Sequence, residues 1–272
     1  MIPIEERTNL ALNSPKMFSR IIFMGYDINK LLSQTALICG AGGLGVIVAQ
    51  ILARSGIGKI IIIDKDIVEE ENFNRLVYNR NDINKPKAVA LTEKLKEIRN
   101  AKNVDKKFHL QTEAYETNVI AWPELEDLIS RSNIIFTCFD NEEARIEVNA
   151  YAVQSKKPII DGGTSENALR GTIISVIPSK TPCLECYYSP DTLVHIESED
   201  ENEQESMPKL PCGASLATTM NIVASLQVDQ GFKYLLKYGQ IIPKIRISLE
   251  DDVIIQNIFQ KRRPGCEACG NI

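Results

Sequence analysis

The chain has 272 residues, of which 44% are hydrophobic and 25% are charged. This composition is typical of a globular protein, and the length is sufficient for one large α/β domain. The formal net charge of −5 argues against the basic surface that nucleic-acid binding requires, so we expect no nucleic-acid partner.

Membrane and secretory signals are also missing from the sequence pattern. No apolar run reaches the length of a membrane span, and residues 1–7 lack the charged-then-apolar order of a signal peptide. We therefore expect no membrane partner and a cytoplasmic location, where thiols are kept reduced. Seven cysteines in such a compartment indicate metal binding or catalysis rather than a disulfide framework.

Strands and helices alternate over the first 160 residues. Short helices are predicted within 9–33, and longer ones up to residue 55 and over 86–99, 122–131 and 141–155. Strands are predicted at 35–39, 59–64, 106–111, 133–137 and 157–161. This order predicts an α/β fold with a doubly wound, mostly parallel, Rossmann-like sheet and helices on both faces.

The pattern changes after residue 163. An antiparallel strand is predicted at 169–177, followed by an acidic run at 197–205, a long helix at 214–238 and strands at 244–249 and 252–259. We expect a single domain over 1–272, with an antiparallel C-terminal extension. Its parts are a helical segment (1–33), a nucleotide-binding core (34–178), an inserted loop (187–212) and the long helix with the last strands (213–272).

A glycine-rich turn predicts a nucleotide site. Gly40, Gly42, Gly43 and Gly45 follow the first predicted strand and open a helix, and Asp64 ends the next strand. Glycines let the backbone approach a phosphate at a helix N-terminus, while the carboxylate can bind ribose hydroxyls. The glycine pattern by itself favours NAD.

The polar residues that follow favour ATP instead. A triphosphate that is about to be split requires cations, and candidate phosphate contacts follow Asp66 at Asn72, Arg75 and Lys87. Asp140 and Asn141 directly follow another predicted strand, where a carboxylate could hold Mg²⁺.

Two cysteine pairs predict a structural zinc site. Cys183 and Cys186 form one C-x-x-C pair, and Cys266 and Cys269 form the other. Each pair supplies half of a tetrahedron of thiolates, which Zn²⁺ prefers. A redox dithiol is the alternative for either pair.

The remaining three cysteines differ in their surroundings. Cys39 and Cys138 lie on predicted strands, and we expect both in the core. Cys212 immediately precedes the long predicted helix, whose dipole would make a thiol at that end more acidic and more nucleophilic. The pattern alone leaves a nucleophile and a buried filler equally open.

Together these motifs resemble the activating enzymes of ubiquitin-like modifiers and their bacterial relatives, which share the ThiF/MoeB-type adenylation fold. The resemblance extends from about residue 18 to residue 269. Within the family it is strongest to the activating enzymes of the ubiquitin-fold modifier, which are compact homodimers. The matching motifs are Gly40–Gly45, Asp64-x-Asp66, Asn72-x-Asn74-Arg75-Leu76, Pro86-Lys87, Cys138-x-Asp140-Asn141-x-x-Ala144-Arg145, Ser165-Glu-Asn-Ala168 with Gly171, Cys212-x-Ala214-Ser-Leu216-x-Thr218-Thr-Met220 and the paired cysteines.

The resemblance implies an activity and its partners. The family adenylates the C-terminal glycine carboxylate of a ubiquitin-like modifier with ATP, takes the acyl group onto a cysteine as a thioester, and passes it to a conjugating enzyme. By position, Cys212 takes the place of the thioester cysteine. Arg20 takes the place of an arginine that reaches into the ATP site of the partner subunit of a homodimer.

The other implied roles concern the nucleotide. The turn around Gly43 would line the phosphates, and Asp64 would bind the ribose. Asn72 and Arg75 would contact the β- and γ-phosphates, and Lys87 the region of the α-phosphate. Two further roles complete the set: Asp140 would hold Mg²⁺, and Asn141 would help to form the site.

The sequence departs from the family in two respects. We expect no counterpart of the C-terminal tail by which eukaryotic relatives recruit the conjugating enzyme, and neither a separate ubiquitin-fold domain nor a large catalytic-cysteine domain. We therefore expect a minimal form in which 197–205 crosses over the bound modifier tail. Two alternatives remain open. One is a sulfur-carrier adenylyltransferase of the molybdopterin or thiamine type, and the other is an NAD-binding module.

Overall fold

A computed structural model describes residues 1–73, 76–188 and 215–270 of the chain. The helices are α1 (Ile4–Leu12), α2 (Ser19–Phe23), α3 (Ile28–Leu32), α4 (Gly43–Ser55), α5 (Lys87–Arg99), α6 (Leu125–Arg131), α7 (Glu142–Gln154), α8 (Leu184–Tyr188) and α9 (Ala217–Leu236). The strands are β1 (Thr35–Cys39), β2 (Lys59–Ile63), β3 (Gln111–Tyr115), β4 (Ile134–Thr137), β5 (Ile159–Thr164), β6 (Arg170–Val176), β7 (Lys244–Ser248) and β8 (Ile254–Ile258).

One sheet with the strand order β3-β2-β1-β4-β5-β6-β7-β8 organises the fold. Strands β1 to β5 pair in parallel, and β6, β7 and β8 are added by antiparallel pairing. The predicted parallel sheet with an antiparallel C-terminal extension is therefore confirmed. The chain leaves β1 in one direction to β2 and later returns on its other side to β4, so a crevice opens beyond the carboxyl ends of these strands.

The central strands are covered on both faces, which explains their continuous apolar runs. Ile60 and Ile62 pack on the side of α4, α5 and α9, whereas Ile61 and Ile63 pack on the side of α6 and α7. All four isoleucines are fully buried. Side chains alternate between the two faces of a strand, so a strand with two covered faces needs apolar residues at every position.

The N-terminal helices dock on the core through Arg99. Its guanidinium is 1% exposed, donates to the carbonyls of Ala53 at 2.6 Å and Phe108 at 2.5 Å, and lies 4.9 Å from the centre of the Phe18 ring. Several carbonyl acceptors and an aromatic face satisfy a charge that would otherwise be costly to bury.

The strand predicted at 106–111 is wrong, because Lys106–Phe108 forms a 3₁₀ helix and β3 begins at Gln111. Phe108 packs against Phe18, and its carbonyl accepts from Arg99, so tertiary contacts hold this backbone away from the sheet. The strand predicted at 157–161 runs on to Thr164. Residues 189–214, which include the acidic run, lie outside the described residues.

A membrane-spanning segment was not expected from the sequence. Within the described part of the chain, no helix has both the length and the apolar character needed to cross a bilayer.

Candidate nucleotide site and metal centre

A cavity of about 530 Å³ lies at the carboxyl ends of β1, β2, β4 and β5. Most of the residues predicted to bind nucleotide line it, namely Gly40, Gly42, Gly43, Asp64, Asp66, Asn72, Lys87, Asp140 and Asn141. The fold therefore brings together side chains that are up to 101 positions apart in the sequence. Arg75 and Cys212 lie outside the described residues.

The glycine-rich turn is shaped by close backbone approaches. Gly40 has φ +101°, and a Cβ there would lie 2.8 Å from the carbonyl oxygen of Cys138. A Cβ on Gly45 would lie 1.8 Å from the Gly40 carbonyl oxygen, so Gly45 is needed for packing beneath the turn and is not part of the cavity lining. Gly42 precedes α4 without a side-chain cap from the described residues. The first amides of α4 are thus suited to an anion.

Asp64 holds the turn from the end of β2. Its two carboxylate oxygens accept from the amides of Ala41 at 2.5 Å and Asp66 at 2.8 Å. Burial raises the pKa of the Asp64 carboxyl, while these two hydrogen bonds and the charge of Lys87 oppose that rise. The carboxylate is therefore oriented by the backbone before any ligand is bound.

Lys87 is the first residue of α5 and points its ammonium toward Asp66. The Nζ atom lies 3.1 Å from Asp66 Oδ2, and the Lys87 amide donates to the Asp66 carbonyl at 2.9 Å. The lysine is 9% exposed, so the ion pair restricts a cation at the cavity wall. Asn72 is also buried, and its Oδ1 accepts from the amide of Glu69.

The loop that carries Asp140 is braced from below by a buried ion pair that sequence reasoning did not assign. Arg145 pairs with Asp161 and donates to the carbonyls of Phe139 and Gly162. Thr137 Oγ1 donates to the same Asp161 carboxylate at 2.6 Å. Asp140 itself is exposed at the cavity, and Asn141 caps α7 by accepting from the amide of Ala144. Arg145 was visible in the sequence only as part of the family motif.

Helix α9 contributes two more residues to the site; Met220 was visible in the sequence only as part of the family motif, and Gln227 was not identified. Gln227 is fully buried and donates to the carbonyls of Thr137 at 3.0 Å and Ile160 at 2.7 Å, which joins the last residue of β4 to β5. Met220 lines the cavity and packs against Gly43. Cys138, which we expected in the core, packs against the core and also lines the cavity. Cys39 is fully buried, as predicted.

The four paired cysteines form one cluster. Their Sγ atoms all lie within 4.8 Å of one another, and the distances between Cys183 and Cys186, Cys183 and Cys266, and Cys186 and Cys269 are 3.9, 3.6 and 3.5 Å. A tetrahedral zinc site with Zn–S bonds of about 2.3 Å has edges of about 3.8 Å. The donor set and its size therefore fit one Zn²⁺.

The chemistry of the cluster also favours a metal. All four cysteines are buried, and burial raises the pKa of the Cys183 and Cys186 thiols. A divalent cation would reverse this by stabilising the thiolates. Because one pair lies around α8 and the other lies near the C-terminus, the metal would fasten the end of the chain to the segment that follows β6.

Arg20 does not line the nucleotide cavity of its own chain. It is exposed, and its side chain makes no hydrogen bond or ion pair with the residues that the structure describes. Met17, Phe23 and Met24 share its neighbourhood on α2 and its flanks, and they are 40%, 55% and 66% exposed.

Comparison with known proteins agrees with the fold and the motifs. The model of the family described as "ThiF family" matches residues 17–267. The chain belongs to the ThiF family. The resemblance stated from the sequence motifs is therefore confirmed.

Several relatives carry one name. "Ubiquitin-like modifier-activating enzyme 5" of Dictyostelium discoideum is 33% identical over 76% of this chain and 54% of that protein. The protein of the same name from Mus musculus is 30% identical over 97% of this chain and 66% of its own length. The chain thus spans roughly half to two thirds of the length of these relatives.

Solved structures show the same architecture. E. coli MccB, in a crystal structure with ATP, superposes with a TM-score of 0.75 and 26% identity over 99% of this chain and 77% of that chain. A second structure of E. coli MccB, with AMPCPP and SeMet MccA, gives a TM-score of 0.77 at 25% identity.

Proposed function

We propose that this chain uses ATP to activate the C-terminal glycine carboxylate of a ubiquitin-like modifier, and then holds the modifier as a thioester on Cys212 for transfer to a conjugating enzyme. The observation that carries the proposal is the cavity. It combines a helix N-terminus that no described side chain caps, an acid fixed at the end of β2, a restricted lysine and the exposed Asp140.

The first step is a displacement at phosphorus. A carboxylate oxygen of the modifier attacks the α-phosphorus of ATP, the bond from that phosphorus to the bridging oxygen breaks, and pyrophosphate leaves. The products are an acyl-adenylate and pyrophosphate. Positioning and charge neutralisation are what such a step requires from a protein. The amides at the start of α4 and the Lys87 ammonium are placed to supply both.

The proposed roles of the individual residues are those that the family resemblance implies. Asp64 binds the ribose hydroxyls with a carboxylate that two amides have already oriented. Asn72 and Arg75 contact the β- and γ-phosphates, and Lys87 contacts the region of the α-phosphate. Asp140 would hold Mg²⁺, which offsets negative charge on the phosphates when bound, and Asn141 shapes the adjacent wall.

The second step transfers the acyl group. The Cys212 thiolate attacks the carbonyl carbon of the adenylate, the carbon–oxygen bond to the phosphate breaks, and AMP leaves. Ser215 and Met220 line the cavity, and Cys212 precedes Ser215 by three residues. Three residues span at most about 10 Å. This short connection supports Cys212 as the nucleophile.

Exposed apolar residues support a homodimer. Met17, Phe23 and Met24 are exposed and lie within four positions of Arg20 in the sequence, and exposed side chains of this size are typical of an interface when they cluster. We infer that a second copy covers this patch and receives Arg20 in its own ATP site. An arginine provided in that way would neutralise charge on the departing pyrophosphate.

Strand β8 supports a modifier as the protein partner. It is the last strand of the sheet, and Ile254, Ile255 and Phe259 are 45%, 54% and 60% exposed on and beside it. Within the described part of the chain this edge is uncovered, and an uncovered apolar edge strand is a template for pairing with another strand. Since the modifier of this proposal has a β-grasp fold, we infer that it docks here through its own sheet.

The test is ATP–pyrophosphate exchange with a β-grasp protein ending in glycine as the second substrate. Wild type should exchange only when this protein is present, and should form an adduct that reducing agent removes. Cys212→Ala should keep the exchange near the wild-type rate and lose the adduct, because a thiol enters only in the second step.

Each other outcome has a defined meaning. A reductant-sensitive adduct on the Cys212→Ala protein would exclude Cys212 as the nucleophile. Exchange without any adduct on wild type would favour the sulfur-carrier adenylyltransferase. Binding of NAD without exchange would contradict the proposal as a whole.

A further inference from the structure

Tyr78 links two parts of the nucleotide site that are remote in the sequence. It lies between the glycine-rich turn and the start of α5, is 4% exposed, and packs its ring in the core. Its hydroxyl donates to the carbonyl of Ala41 at 2.9 Å and lies 3.3 Å from the carbonyl of Lys87. Ala41 belongs to the turn, and Lys87 carries the ammonium at the cavity wall.

These contacts complete a closed ring of hydrogen bonds. Ala41 donates to Asp64, and the same carboxylate accepts from the amide of Asp66. Asp66 in turn binds Lys87 through both its carbonyl and its carboxylate. The Tyr78 hydroxyl connects Lys87 back to Ala41.

The ring of hydrogen bonds fixes the distance between two groups that would bind a triphosphate. The backbone amides at the start of α4 lie on one side of this ring of hydrogen bonds, and the Lys87 ammonium lies on the other. Both groups line the cavity, whereas Tyr78 does not and cannot contact a ligand there. A change of about 1 Å in this separation would weaken the simultaneous contact of the two groups with one phosphate chain.

We propose that Tyr78 is a positioning residue, whose hydroxyl sets the spacing between the phosphate-binding turn and Lys87 for the triphosphate of ATP. The inference rests on the proposed function, because it assumes that ATP occupies the cavity. It goes beyond that function by assigning a role to a residue that touches no substrate.

If Tyr78 served only to pack the core, loss of its hydroxyl would leave ATP binding unchanged. Packing in the core requires only the aromatic ring, and phenylalanine supplies the same ring. Tyr78→Phe therefore removes the hydroxyl and its contacts while it leaves the packing in place.

The experiment compares two ligands that differ in their phosphates. ATP affinity is measured by calorimetry on the full chain, and adenosine affinity by competition against ATP at millimolar concentration. Tyr78→Phe should weaken ATP binding by about twofold to tenfold, the range expected for one buried hydrogen bond. Adenosine affinity should stay unchanged, since adenosine has no phosphate for the turn and Lys87 to bind.

A matched control is available in another tyrosine. The hydroxyls of Tyr26 and Tyr238 lie 2.6 Å apart, and neither residue lines the cavity. Tyr238→Phe should lose this hydrogen bond and leave both affinities at their wild-type values.

Three results would overturn the inference. The first is ATP affinity that is unchanged in Tyr78→Phe, and the second is an equal loss for ATP and adenosine, which would indicate a general distortion of the site. The third is a wild-type protein that binds neither ligand, which would contradict the proposed function as well.

Discussion

Gly43 and Met220 offer a direct test of how α9 meets the nucleotide site. An ideal Cβ on Gly43 would lie 2.2 Å from Met220 Sδ and 2.7 Å from Met220 Cε. Non-bonded carbon atoms in contact lie about 3.5–4.0 Å apart, so Gly43→Ala creates an overlap of about 1 Å. Met220 is 7% exposed, but the two contacting atoms are the flexible end of a side chain that lines the cavity, so rotation toward the cavity can relieve part of the overlap. Overpacking typically costs about 1–3 kcal/mol, and we expect the lower end of this range here.

The expected result is a coupling between the two positions. Gly43→Ala should lower the free energy of unfolding by about 1 kcal/mol in the wild-type background and by close to zero when Met220→Ala is also present. The measurement is urea unfolding of the four proteins in a double-mutant cycle. If Gly43→Ala costs the same in both backgrounds, the contact between α9 and the turn does not limit packing, and the reasoning is wrong.

Gly42→Ala is the matched control, and it separates packing from binding. Gly42 has an extended backbone with φ −84° and ψ −154°, and a Cβ there would meet no atom within 4 Å. Its methyl group would enter the open cavity. Stability should therefore remain near the wild-type value, while calorimetry should show weaker ATP binding, because the methyl group occupies space that we assign to the phosphates.

Three further predictions concern the metal, the dimer and the modifier. Cys183→Ser should lower both the melting temperature and the zinc content, which native mass spectrometry measures. Cys39→Ser should leave the zinc content unchanged. Full stability in a metal-free wild type would contradict the zinc site. When inactive Arg20→Ala protein is mixed with inactive Asp140→Ala protein, ATP–pyrophosphate exchange should return, because a heterodimer contains one intact site. If no activity returns although the subunits have mixed, Arg20 does not act on the partner's site. Ile255→Lys should reduce modifier-dependent exchange without changing ATP affinity; normal exchange at low modifier concentration would remove β8 from the docking surface.

The strand pattern explains why much of the fold could be predicted. The runs at 36–39 and 60–63 are apolar at every position, and strands with both faces covered have that signature. The zinc cluster could also be predicted, because two C-x-x-C pairs restrict the geometry locally and the metal supplies the remaining constraint.

The misplaced strand shows the limit of such patterns. Residues 106–111 contain the apolar Phe108 and Leu110 at strand spacing, yet Phe108 is buried in a separate cluster with the N-terminal helices, whereas Leu110 joins the main core. Phe108 packs on Phe18, which is 90 positions away in the chain. A local pattern records that a residue is buried, and it does not record which element buries it.

The same limit applies to the candidate site. The residues that the sequence revealed, such as Asp64 and Lys87, lie at strand and helix ends, where their local context indicates a ligand. The residues it missed act on the backbone of another element. Gln227 reaches the carbonyls of β4 and β5, and Met220 reaches Gly43 across 177 positions. Neither contact leaves a trace in the local sequence.

These missed residues share a physical task. At the carboxyl end of a parallel strand the chain leaves the sheet, so its last carbonyls lose their neighbours in the ladder. Gln227 donates to the carbonyl of Thr137, the last residue of β4, and to that of Ile160 in β5, and Arg145 donates to those of Phe139 beyond β4 and Gly162 within β5. A site at this edge needs polar side chains from beneath to satisfy the backbone. The rigidity of the Asp140 loop therefore follows from α7 and α9, and substitutions in these helices should affect the site as strongly as changes in its lining.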